Sequence, residues 1–157
     1  MRIYQLILLT IIFIVLSLLD TRINLALINF SLVFNFSYLF LCFLCFMKPQ
    51  KINSFFGAYI GFLIDLHQNV FLGLHAALFS LTILVINYNY FRLRMFSTFQ
   101  ITMTFSLFTS FFVGFKAMLL STMNFQYIMF FLSFFSAFIT YLFIPYLGNT
   151  ITKKIKI

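Results

Sequence analysis

FFGAYIGFLIDLHQNVFLGLHAALFSLTILVI, residues 55–86, interrupts an apolar chain with three of its five glycines, both histidines and one of its two acids. On a helix Gly57, Gly61 and Asp65 recur every fourth residue and share one face, so two positions without side chains line up with a carboxylate. Gly57-x-x-x-Gly61 is the small-residue spacing at which one membrane helix approaches another backbone to backbone. A polar break, His67-Gln68-Asn69, follows, and a second apolar run opens with Gly73-Leu74-His75-Ala76-Ala77. Ala76 and Ser80 repeat the small-residue spacing on that run. The pattern predicts a helical hairpin packed through Gly57, Gly61, Asp65, Gly73, His75, Ala76 and Ser80.

Asp65 is the residue of this hairpin that most needs a physical account. An ionised side chain at the centre of a membrane helix costs about 2.5 to 3.5 kcal/mol on insertion scales, so it requires water or a partner. Two arrangements meet that need: a carboxylate solvated at a helix end, or a hydrogen bond to His75 or His67 that locks the hairpin.

The chain around the hairpin is equally apolar. Of its 157 residues 64% are hydrophobic and 8% charged, and the mean hydropathy is +1.11, which excludes an ordinary water-soluble surface. Twenty-seven phenylalanines without a tryptophan, among many Ile, Asn and Lys, reflect an AT-rich coding composition more than an aromatic site. A net charge of +8 raises nucleic acid as a partner, but the cations stand singly or in pairs between apolar runs, not on one face. Cys42 and Cys45 form C-x-x-C inside an apolar run, without the strand–helix context of a redox motif or further zinc ligands, and read as inert buried thiols.

Six apolar runs predict an all-α, polytopic membrane protein, a single compact bundle of six helices at about 3–19, 29–47, 52–66, 72–90, 96–115 and 125–146. The first run offers no small-residue cleavage site near Leu18-Leu19-Asp20 and is expected to be retained. Asp20 and Arg22 are expected in a loop, Lys48-Pro49-Gln50-Lys51 stops the second run, and Pro145 and Gly148 end the sixth. Thr98, Thr102, Ser106 and Thr109 give the fifth run one hydroxylated face, which either bonds its own backbone or looks into the bundle. Ser133, Ser136 and Thr140 form a similar stripe on the sixth. Lys116, at the end of the fifth run, is expected to snorkel to the interface.

With both termini cytoplasmic, Arg2, Lys48, Lys51, Arg92, Arg94, Lys153, Lys154 and Lys156 fall inside, and Arg22 and Lys116 fall outside. Eight of ten cations on the inner side is the asymmetry that orients membrane proteins, so the topology is read as N-in, C-in. Both acids then lie toward the outer face. Two acids separated by a span exclude two-metal and carboxylate-pair catalysis. Asp65, His75 and a serine can be drawn as a triad, but no serine carries a nucleophile signature, and neither an enzyme nor a metal or cofactor site is expected.

The small-residue helix, then Gly-Phe-Leu-Ile-Asp at 61–65, a loop, and Leu-Gly-Leu-His-Ala at 72–76 resemble the MreD family, small integral membrane proteins of the bacterial rod-shape machinery. Chain length, number of apolar runs and the basic tail agree with that resemblance beyond the motif. The family's loop is rich in Gly, Ser and Pro, whereas here it reads His67-Gln68-Asn69-Val70-Phe71. The resemblance implies a non-catalytic, multi-pass scaffold of the inner membrane that organises lateral peptidoglycan synthesis and cell shape. It also implies partners: an MreC-like single-span membrane protein, an MreB-like filament, the peptidoglycan synthases of the same complex, and membrane lipids. The six-helix arrangement is similar, too, to the substrate-binding subunits of energy-coupling vitamin transporters, which implies small-molecule binding and transport as the alternative. Its polar groups would come from the stripe at Thr98 to Thr109, from Ser136 and from His75.

Overall fold

The computed structural model describes residues 3–27, 33–49, 51–68, 71–120 and 127–152. These residues form seven α-helices and no strand: α1 (Ile3–Ala26), α2 (Phe36–Met47), α3 (Ser54–Gln68), α4 (Leu74–Tyr88), α5 (Tyr90–Met95), α6 (Thr98–Leu120) and α7 (Tyr127–Thr152). Two of them, over Tyr4–Ala26 and Thr98–Leu119, are long and apolar enough to cross a membrane. Helices α2 and α4, of 12 and 15 residues, are equally apolar but shorter.

Hairpins α3/α4 and α6/α7 each pack along their length, and α2 lies against α1, α4 and α6. The core holds Phe13 from α1, Leu41, Cys42 and Cys45 from α2, Ile60 and Ile64 from α3, Phe79, Ile83 and Ile86 from α4, and Phe105 and Phe112 from α6. The Tyr38 ring stacks on Phe112 at 4.3 Å between centroids, and its hydroxyl is 2.9 Å from that of Thr82, joining α2 to α6 and α4.

Helix α6 turns large apolar side chains outward and carries hydroxyls inward beside Phe105 and Phe112. Phe99, Met103, Leu107, Phe111 and Met118 are exposed, while Thr102, Ser106, Thr109 and Ser110 are buried. A water-soluble helix has the opposite distribution. In the hydroxyl stripe Thr98 is exposed, whereas Thr102, Ser106 and Thr109 are buried and donate to carbonyls of their own helix; Ser110, outside the stripe read from the sequence, donates across to the Phe130 carbonyl of α7 at 2.9 Å.

The structure differs from the sequence-based bounds in four places. Asp20 and Arg22 lie within α1, not in a loop, because the Asp20 carboxylate turns inward to cap α2. In the second apolar run the described residues 33–35 are not helical, and α2 starts at Phe36. Ahead of it the Asn24 side chain clasps the backbone of Phe34, accepting from its N–H at 2.8 Å and donating to its carbonyl at 2.9 Å. Arg92 and Arg94 sit in the short helix α5. Helix α7 continues through Pro145 and Gly148 to Thr152, since a proline removes one backbone hydrogen bond without forcing a stop. Arg2, Asn29, Ser31, Gln50, Asn69 and the lysines at 153, 154 and 156 lie outside the described residues.

Candidate functional site

Two small residues set the geometry of the α3/α4 hairpin. A Cβ added at Gly61 would lie 2.5 Å from Ala76 Cα and 2.5 Å from the His75 carbonyl carbon, so the two backbones touch at this point. At Gly57 the nearest atoms are the terminal methyl of Ile83 at 2.5 Å and the Phe79 carbonyl group at 3.1 Å. Ala76 therefore meets Gly61. Phe79 and Ile83, not Ser80, face Gly57, and the Ser80 hydroxyl donates to the Ala77 carbonyl of its own helix.

This close approach brings the end of α3 against the start of α4, whose first N–H groups lack partners within the helix. Asp65, on the last turn of α3 and fully buried, supplies acceptors to them. It accepts the Gly73 N–H at 2.9 Å, the His75 N–H at 3.1 Å and the Ala76 N–H at 3.4 Å. Gly73 precedes α4 with φ of 98°, a left-handed conformation in which a side chain is strained, and no atom lies within 4 Å of an added Cβ. Gly73→Ala is accordingly expected to cost about 1 to 2 kcal/mol through backbone strain alone, measurable as a lowered midpoint of thermal unfolding in detergent.

The remaining acceptor capacity of Asp65 goes to His75, whose Nδ1 is 2.5 Å from Oδ1. The Asp65 carboxylate oxygen is the acceptor of this bond, so Nδ1 carries the proton and donates it. The other ring nitrogen, Nε2, then presents a lone pair, and the Lys116 ammonium donates to it at 3.1 Å. Lys116 also donates to Gln68 Oε1 at 3.1 Å, and Gln68 Nε2 donates to the Ser17 hydroxyl at 3.0 Å. A continuous, oriented chain of hydrogen bonds thus runs Ser17, Gln68, Lys116, His75, Asp65 and joins α1, α3, α4 and α6.

The second acid belongs to the same end of the bundle. Asp20 accepts the N–H groups of Phe36 at 2.7 Å and Ser37 at 3.0 Å and the Ser37 hydroxyl at 2.6 Å, capping α2 as Asp65 caps α4. Asp20 and Asp65 both act electrostatically on Lys116. Both acids of the chain are consequently buried at helix N-termini, where the helix dipole favours negative charge.

Of the two arrangements open for Asp65, the buried one with His75 is the one formed. His67 is exposed on the final turn of α3. Lys116 does not snorkel to an interface: its half-buried ammonium is held inside by His75 and Gln68. The triad drawn from Asp65, His75 and a serine does not assemble, because both ring nitrogens of His75 are taken by Asp65 and Lys116. What the cluster does chemically is to neutralise charge inside an apolar bundle and fix four helices to one another. Among the described residues no group of three or more His, Cys, Asp or Glu is positioned to hold a metal ion. Asp20, Gln68, Ser17 and Lys116 were not among the candidates from the sequence. Their signal was placement: Asp20, Asp65 and Lys116 all occur near the ends of odd-numbered apolar runs, which a bundle of alternating direction brings to one side. No family model, curated protein or solved structure matches the chain.

Proposed function

We propose that the chain is a multi-pass protein of the bacterial inner membrane, with six spans and both termini cytoplasmic, that serves as a non-catalytic scaffold of the cell-elongation machinery and is similar to MreD. The observation that carries this reading is the α3/α4 hairpin. The residues on which the resemblance rests, Gly61, Asp65, Gly73, His75 and Ala76, are those that touch across it. Their chemistry is that of assembly: each group they offer is taken up by another part of the same chain. The apolar exterior of α1 and α6 supports a membrane setting. Lys48, Lys51 and Arg94 line one cleft beyond the ends of α2 and α4, away from the helix starts that the acids cap, which supports the orientation.

The topology predicts cytoplasmic signals from reporter fusions at Arg94 and the C-terminus and a periplasmic signal at Asn69. A periplasmic C-terminus would remove the six-span arrangement. The scaffold role predicts that depletion in a rod-shaped host rounds the cells. Unchanged shape with loss of uptake of a small nutrient would transfer the assignment to a transport subunit.

A further inference from the structure

We infer that the basic end of the bundle binds an anionic phospholipid, with its headgroup phosphate between Lys48, Lys51 and Arg94 and an acyl chain in the groove between α1 and α2. An open cleft of about 640 Å³ lies there, lined by these three cations and by Tyr90 and Phe91. A second cavity of about 240 Å³ adjoins it and shares Lys48 and Lys51; the rest of its wall is mostly apolar, Leu8, Leu9, Leu44 and Ile52, with Tyr4 and Gln5. One cleft is cationic with aromatic sides, the next is an apolar trough, and two lysines stand at their junction. That succession matches a phosphate joined to a hydrocarbon chain.

Charge makes the occupant specific. The chain has ten Lys and Arg and two acids. Both acids are buried at the far end, bonded to the N-termini of α2 and α4. Neither acidic side chain of this chain is left to neutralise Lys48, Lys51 and Arg94, so an anion from outside suits them. A free phosphate would satisfy the cations and leave the apolar trough unfilled, whereas a zwitterionic lipid would fill the trough and bring a cation of its own. An anionic phospholipid does both, with the rings of Tyr90 and Phe91 at headgroup depth. This inference rests on the membrane-spanning reading and not on the scaffold role.

The test is native mass spectrometry of the full chain, purified in detergent and titrated with phosphatidylglycerol or phosphatidylcholine, with and without millimolar inorganic phosphate. The wild-type protein is expected to retain phosphatidylglycerol in preference to phosphatidylcholine, and phosphate is expected not to displace it. Joint replacement Lys48→Gln, Lys51→Gln and Arg94→Gln is expected to weaken retention roughly a hundredfold, about fivefold per cation removed. Arg92→Gln, on the same helix as Arg94 but outside the cleft, is the control and is expected to behave as wild type. All four positions are exposed, so folding is retained, as circular dichroism will verify. Equal retention by the triple variant, equal retention of phosphatidylcholine, or displacement by phosphate would each overturn the proposal. Release of the protein from membranes by alkaline carbonate would overturn the membrane-spanning reading itself.

Discussion

Gly61→Leu is expected to leave little folded protein in the membrane. A leucine places its Cβ 2.5 Å from backbone atoms of Ala76 and His75, which cannot rotate away as a side chain can, so α3 and α4 must separate. Separation pulls Asp65 from the start of α4 and breaks the chain of hydrogen bonds through His75 and Lys116. Overpacking by itself costs about 1 to 3 kcal/mol; with the loss of the polar cluster the total should exceed about 3 kcal/mol. Gly57→Ala is the informative contrast, because it meets the far end of the Ile83 side chain, which can move, and a carbonyl group at 3.1 Å. Membrane-fraction yield and the thermal midpoint in detergent should rank wild type, Gly57→Ala and Gly61→Leu in that order.

Asp65→Asn is expected to be nearly as damaging, about 3 to 5 kcal/mol. Judged by size and polarity, asparagine looks mild. Here the carboxylate faces N–H groups of Gly73, His75 and Ala76 and the Nδ1–H of His75, all donors. An asparagine offers one acceptor oxygen and turns its NH₂ toward donors, so buried N–H groups lose their partners. Removing His75 as well, in Asp65→Asn/His75→Leu, deletes one unsatisfied donor, and the double variant should cost less than the sum of the two single changes. Equilibrium unfolding of the four proteins in the cycle measures this. An Asp65→Asn protein that is as stable as wild type but inactive would indicate chemistry at Asp65 beyond helix capping.

The hairpin was legible in the sequence because its partners are close in the chain. Gly61 and Ala76 are recognisable by spacing, and Asp65 and His75 are ten residues apart. The role of Lys116 was not legible. Its partners His75 and Gln68 are 41 and 48 positions away, and a lysine at the end of an apolar run ordinarily reaches for the interface. What overrides that tendency is the pair of buried acids, whose charge the bundle must balance internally. Asp20 escaped for a related reason: its loop-like surroundings concealed a cap on a helix that starts 16 residues later. The short helix α2 was hidden because Asn24 organises a non-helical lead-in that hydropathy reads as part of the same run.

The central claim, a scaffold that works by holding membrane partners, is tested most directly by copurification from a rod-shaped host under mild detergent. The wild-type chain is expected to retain a single-span membrane protein with a large periplasmic part, and Gly61→Leu protein that still reaches the membrane is expected to lose it. Wild-type protein recovered without such a partner, or with a bound small nutrient in its place, would contradict the account.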